Sequence, residues 1–145
     1  MDIYLWIDNN REIIRLPVLP NQIFFDTGQD NKEYDGIKMK LKLIGNSKLE
    51  KCTISSFFPD QSKEYSFVRD KSHSDYDYVE IISRWKNERI PVRLIIPEMG
   101  NKNIAMVIDE FKFGADTTTD VPYTLELSEF TFPQIKIDPS KNKTK

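Results

Sequence analysis

Between Asp75 and Asn87 the apolar residues Tyr78, Val79, Ile81, Ile82 and Trp85 fall three and four positions apart, the spacing that gathers side chains into one stripe along a helix. Asp77, Glu80, Ser83, Arg84 and Lys86 take the opposite face. Asp75 reads as a candidate N-cap. Ser74 and Asp77 resemble a capping box with Asp in the usual Glu position, and Asp75 and Asp77 both suit the positive end of the helix dipole. Asn87 and the Ile90-Pro91 step end the segment, because a residue before proline is pushed out of the α region. No other stretch shows this period. A lone amphipathic helix needs a surface to cover, and only a sheet built from the segments around it can supply one.

Those segments read as strands. Residues 3–7, Ile-Tyr-Leu-Trp-Ile, and residues 11–16 flank the turn cluster Asp8-Asn9-Asn10 and predict a hairpin. Pro17-Val18-Leu19-Pro20 interrupts pairing, since proline lacks a ladder donor, and residues 23–25 resume an extended run. Residues 26–36 are almost all polar and read as an exposed loop. In residues 36–44, Ile37, Met39, Leu41 and Leu43 alternate with Lys38, Lys40 and Lys42, as expected of a strand with one wet face. The lysine row reads as protection of a sheet edge, with an acid-binding stripe as the alternative. Further strands are expected over 49–58, 92–96, 104–113 and 123–132, and the long polar segment 59–74 is expected to fold back over the domain. The resulting expectation is a mainly β, α+β domain over residues 1–132: an antiparallel sandwich or partly closed barrel with one flanking helix at 75–87. A flexible, lysine-rich tail over 133–145 follows it.

One hundred and forty-five residues suit one domain able to bury a sizeable core. Twenty-one basic and 23 acidic residues give a net charge of −2, so no global positive field exists to hold a nucleic acid backbone. No run approaches the roughly 18 apolar residues of a membrane-spanning helix, and the N-terminus lacks the pattern of a secretory signal. Synthesis in the cytosol is the expectation. The single cysteine, Cys52, excludes an intramolecular disulfide and reads as a small buried side chain.

Catalytic groups are sparse. The only histidine, His73, sits in a polar loop with no candidate nucleophile at a recognisable spacing, and one His with one Cys makes no zinc site. Five scattered glycines form no phosphate loop. Asp109-Glu110 and Glu126 with Glu129 are the carboxylates that might form a glycosidase pair, yet on strands they are wet-face residues. Asp116-Thr-Thr-Thr-Asp120 lacks the ordered spacing of a calcium loop. No catalytic residue, cofactor or metal is expected. Surplus apolar groups stand instead in two irregular places, Leu16-Pro17-Val18-Leu19-Pro20 and Phe57-Phe58-Pro59-Asp60, which makes these nine residues the candidate assembly interface.

A set of short segments, taken in order, carries a resemblance: Leu16-Pro17-Val18 with Pro20, Leu43-Ile44-Gly45, Ile54-Ser55-Ser56-Phe57-Phe58-Pro59, Asp77-Tyr78-Val79 with Trp85, Pro91-Val92-Arg93-Leu94-Ile95 and Tyr123-Thr124-Leu125-Glu126-Leu127. Over residues 1–132 the chain resembles the N-terminal domain of LysM-containing baseplate proteins of contractile phage tails, of PBSX-like defective prophages and of contractile bacteriocins. The resemblance implies a tail-tube-type fold and a non-enzymatic baseplate subunit, repeated around the tail axis in six copies. Its implied partners are tube, hub, wedge or sheath proteins. In that family a LysM module usually follows this domain, whereas residues 133–145 here read as a lysine-rich tail, so peptidoglycan binding is not expected to carry over. A truncated cell-wall-binding adaptor using exposed Tyr and Trp, and a carboxylate-based wall hydrolase, are the alternatives.

Overall fold

The computed structural model describes residues 1–7, 11–60, 62–63, 65–70 and 73–131. The turn expected at residues 8–10 and the tail expected at 133–145 lie outside the described residues. Seven strands form one antiparallel sheet: β1 (Tyr4–Ile7), β2 (Glu12–Arg15), β3 (Phe25–Asp26), β6 (Lys51–Phe58), β7 (Val92–Ile96), β8 (Lys102–Phe113) and β9 (Val121–Glu129). Their spatial order is β2-β1-β7-β8-β9-β6-β3, open at both ends, so the sheet does not close into a barrel. Two further strands, β4 (Lys32–Asp35) and β5 (Lys40–Leu43), pair only with each other.

Helix α1 (Asp75–Asn87) covers one face of the sheet. Ser74 is its N-cap: the Ser74 hydroxyl accepts from the Asp77 amide at 3.2 Å, and the Asp77 carboxylate accepts from the Ser74 amide at 3.2 Å, completing the capping box. These bonds hold the Asp77 carboxyl below its ordinary pKa. The stripe Tyr78, Val79, Ile82 and Trp85 is buried, while Ile81 is half-buried at its margin. Phe58 of β6 lies between two helix- and sheet-borne rings, stacked on Tyr123 at 4.1 Å and on Tyr78 at 5.1 Å. At the far end of the helix the Trp85 Nε1 donates to Glu12 of β2 at 3.3 Å, and Arg84 pairs with the same carboxylate. The helix therefore runs obliquely from the β6 side of the sheet to the β2 edge.

Alternation along the strands explains the core. Ile3, Leu5, Ile7, Ile14, Ile54, Leu94, Ile96, Leu125 and Leu127 point to the helix side and are buried. Tyr4, Trp6, Arg93 and Ile95 take the opposite face and remain only half-covered. Cys52 joins the buried set, and desolvation, reinforced by Asp26 and Glu50, pushes its thiol up to about 12, which makes it a packing group.

The ribbon Lys32–Leu43 departs from the sequence expectation. Residues 36–44 were to supply a strand with one face in the core, and 26–36 a loop. Instead β4 lies within that loop, and β5 is shorter and exposed on both faces. The segment stands off the domain as an arm, and neither of its strands pairs with the main sheet.

Candidate assembly interface

The arm continues a ribbon that begins inside the sheet. Phe25 and Asp26 pair with Cys52 and Lys51, then the Lys48 amide donates to the Gly28 carbonyl and the Asp30 amide to the Asn46 carbonyl, both at 2.8 Å. A bridge joins Gln29 to Ser47, and β4 pairs with β5 up to a turn in which the Gly36 amide donates to the Met39 carbonyl at 2.8 Å. At about 3.3 Å per extended residue, the run from Asp26 to Gly36 spans at most roughly 33 Å. Gly45 is required where the two sides come together, because a Cβ there would stand 1.7 Å from the Asp30 carbonyl oxygen.

Register gives the arm two unlike faces. Directly opposed residues share a face, so Glu33 with Lys42 and Asp35 with Lys40 make one charged side, with a Glu33–Lys42 ion pair at 3.7 Å. Tyr34 with Leu41, and Leu43 opposite Lys32, make the other. On this side Tyr34 is 51 % exposed, Leu41 50 % and Leu43 54 %, and at the tip Ile37 is 103 % and Met39 65 % exposed. Alternation normally places such a face on a core. Here no other described element packs over it.

The nine residues singled out from sequence divide between core and surface. Leu16 and Phe58 are fully buried, Pro17, Val18 and Pro20 are buried, and Leu19, Phe57, Pro59 and Asp60 are half-buried. Leu16 and Phe58 belong to the core cluster, with Phe58 stacked on Tyr78 of the helix, and Pro17, Val18 and Pro20 are covered too, so the nine do not all present side chains to the outside. Segment 16–20 passes close to β6, where the Ser56 hydroxyl donates to the Val18 carbonyl at 3.0 Å. A groove of about 570 Å³ opens where the chain leaves that contact, lined by Val18, Leu19, Pro20, Phe57, Phe67 and Arg69 among others. The structure thus brings both sequence-selected stretches to one groove.

The loop after β6 walls that groove and folds back as expected. Phe57 meets Tyr65 and Phe67 edge-on at 6.2 and 6.1 Å, and Tyr65 stacks on Phe67 at 4.8 Å. The Arg69 amide donates to the Pro17 carbonyl at 2.6 Å, and its guanidinium pairs with Asp2 at 3.0 Å. Buried Asp120 ties the loop down, accepting from the Asp60 amide at 2.8 Å and from the Tyr65 hydroxyl at 2.9 Å. Thr119 sits at φ +67°, a conformation costly for a β-branched residue, and its hydroxyl donates to the Asp60 carboxylate.

The Thr119 hydroxyl, with the Ser62 amide and hydroxyl, lowers the Asp60 carboxyl from its ordinary 3.8 to about 2. Because folding depresses this pKa, the clamp is fully formed above the ordinary carboxyl range and is lost as pH falls toward 2. The near-ultraviolet dichroism of the Phe57, Tyr65 and Phe67 cluster is therefore expected to change between about pH 4 and 2. Asp60→Asn should remove that transition; an unaltered titration in this variant would dissociate the clamp from Asp60.

The sequence-selected carboxylates do not converge on a cleft. Glu110 and Glu126 face each other across the bulge between β8 and β9 on exposed strand surface and hydrogen-bond to one another, which lowers Glu110 and raises Glu126. Glu129 is turned to another task, accepting from the Glu50 amide at 3.1 Å. His73 lies edge-on to the Tyr78 ring at 5.2 Å. Trp85 is in the core and Trp6 on the half-covered sheet face, so the two tryptophans form no joint binding platform. Among the described residues no three His, Cys, Asp or Glu side chains stand together as a metal site, and no helix is long and apolar enough to cross a membrane.

Comparison with known proteins agrees with the fold. No family model matches the chain. The Uncharacterized protein YqbP of Bacillus subtilis (strain 168) is 26 % identical over 144 residues, which span 97 % of this chain and 64 % of YqbP. This chain therefore spans less than two thirds of that relative's length. Among solved structures, a chain in the virion of a native gene transfer agent particle superposes with a TM-score of 0.59, at 12 % identity, covering 90 % of this chain and 92 % of that one. A chain in the tail of an empty gene transfer agent particle with C6 symmetry gives the same TM-score and identity, covering 91 % and 92 %. The fold is thus similar to that of chains found in gene transfer agent particles, one of them in the tail.

Proposed function

We propose that this chain is a structural subunit of a contractile phage tail or tail-like particle and acts by shape, without catalysis. The observation that carries this reading is the arm, a regular two-stranded ribbon whose apolar side chains are exposed at its full reach from the domain. Natural sequences avoid long apolar edges and faces in solution unless another surface covers them. The tail-type fold and the sequence resemblance to baseplate proteins supply the setting. In that setting the chain joins the end of the tail tube or hub to the surrounding baseplate or sheath. Repetition around the axis multiplies a modest contact into a stable ring.

The test is made in the cell that encodes the chain. Sheathed particles purified by gradient are expected to contain it, by mass spectrometry and by antibody labelling at one end. Deleting its gene should leave no intact tails in electron micrographs. Complete sheathed tails assembled without the chain would overturn the reading.

A further inference from the structure

The ribbon formed by β4 and β5 keeps two free edges. Among the described residues no strand pairs with the outer side of either one. In an antiparallel pair, opposed residues alternate between those that exchange main-chain bonds and those that turn these groups outward. The Gly36 amide bonds to the Met39 carbonyl, so by alternation Tyr34 with Leu41 and Lys32 with Leu43 bond inward. The outward amides and carbonyls therefore belong to Glu33 and Asp35 on one edge and to Lys40 and Lys42 on the other. One edge is acidic and the other basic, at the same spacing. All four residues are exposed, and neither strand contains a proline or a bulge that would block a further strand.

We propose that the acidic β4 edge of one copy pairs with the basic β5 edge of the next, so that the arms join side by side into one antiparallel sheet. This inference rests on the assembly reading and deepens it by naming a second copy of this chain as the arm's neighbour. Charge selects that neighbour. Two β4 edges brought together would oppose carboxylate with carboxylate, and two β5 edges ammonium with ammonium; like charges directly opposed destabilise a strand pair. The unlike edges match. Arms pointing the same way set β4 of one copy antiparallel to β5 of the next. With no shift between them, Glu33 meets Lys42 and Asp35 meets Lys40 across the junction. That register repeats the one inside the ribbon, where Glu33 and Lys42 form an ion pair at 3.7 Å. The two pairs exchange about four main-chain hydrogen bonds at each junction. Tyr34 and Leu41 also fall opposite one another, so the apolar faces of neighbouring arms merge on one side. Strands add in the plane of the sheet, and neither face is buried by the join. Lys32, at the base of the apolar face, stays in water, and Lys38 lies in the turn beyond the last paired residues. The joined edges differ, so the contact is heterologous and repeats from copy to copy until a rotation closes it.

Zero-length carbodiimide coupling of the full chain tests this, because it joins a carboxylate only to an amine in contact with it. In an equal mixture of unlabelled and isotopically heavy chains, mass spectrometry is expected to find Glu33–Lys42 and Asp35–Lys40 links that join one heavy and one light peptide. Links within one chain carry a single label. Lys40→Glu with Lys42→Glu should weaken self-association in sedimentation about tenfold or more, since both edges are then acidic. Exchanging all four charges, Glu33→Lys, Asp35→Lys, Lys40→Glu and Lys42→Glu, should restore it, because unlike edges face again inside the ribbon and between copies. Amide-exchange protection of Tyr34 and Leu41 reports whether the ribbon itself persists in each variant. A fourfold exchange that stays dissociated with its ribbon protected would overturn edge pairing. Single-label links alone, while sedimentation shows oligomers, would overturn the edge contact and leave the assembly reading intact. A chain that sediments as a monomer at every concentration, or links from these residues to a different protein in purified particles, would overturn pairing with a second copy. Particle composition judges the assembly reading separately.

Discussion

Phe58→Ala is expected to lower the unfolding free energy by about 3–5 kcal/mol, whereas Phe57→Ala, one residue away, should cost about 1 kcal/mol. The difference follows from the pleat. Phe58 points inward, is 0 % exposed and fills the space between Tyr78 of the helix and Tyr123 of β9, so its removal leaves a cavity bounded by elements that cannot both move in. Phe57 points outward, and alanine there forfeits two edge-on ring contacts at a half-exposed surface. Chemical denaturation of both variants measures the contrast. Equal losses would mean that the two rings share one environment. For a domain whose whole stability is on the order of 5–15 kcal/mol, the Phe58 change alone approaches the threshold of folding. Truncating both rings at once would therefore confound loss of assembly with loss of the folded state, and Phe57→Ala is the variant that isolates the groove.

The converse experiment removes apolar surface without touching stability. Tyr34→Ser, Leu41→Ser and Leu43→Ser together are expected to leave the thermal midpoint within about 2 °C of wild type, since the three side chains are half-exposed on a ribbon that lies off the core. The same variant should fail to enter sheathed particles. Buried at a contact, each side chain contributes about 1.5–3 kcal/mol, so the loss of three weakens a junction by several powers of ten. Differential scanning calorimetry and particle composition report the two halves of the expectation. A large drop in the midpoint would show that the arm braces the domain; normal incorporation would show that its apolar face is not the contact.

The helix was legible in the sequence because its stripe, its Ser74–Asp77 box and its Ile90-Pro91 stop all depend on neighbours within a turn or two. Strands β6 to β9 were legible too, since Ile54, Leu94, Leu125 and Leu127 alternate toward a core the helix must cover, but their spatial order β7-β8-β9-β6 was not. The arm was not. Ile37, Met39, Leu41 and Leu43 show the same period whether the covered face meets its own domain or another molecule, and periodicity carries no record of whose surface it is. Lys32–Asp35 was hidden for a different reason: with Tyr34 as its one apolar residue, its pairing comes from opposed charges and from the partner strand. Gly45, whose close approach to Asp30 fixes the ribbon, stands in the sequence as one of five scattered glycines, with nothing to mark its spatial partner.

The two stretches singled out in the sequence meet at one groove, with their side chains divided between core and surface. The Leu16–Pro20 run is apolar because segment 16–18 closes the core beside β6 before Leu19 and Asn21 reach the surface. Adjacent aromatics at 57 and 58 divide by the strand's twofold alternation, and only one of them is available outside. Phe67 and Tyr65, which complete the wall, stood in a polar segment whose placement depends on Asp120, more than fifty residues further along.

Since the arm and the margin of the sheet are lengths of the same antiparallel ribbon, a pull applied at the tip runs parallel to the strands and across their hydrogen bonds. Such a load strains many bonds simultaneously and does not peel them open one by one. The domain is braced against traction along that axis, with the load spread over the β6–β9 ladder.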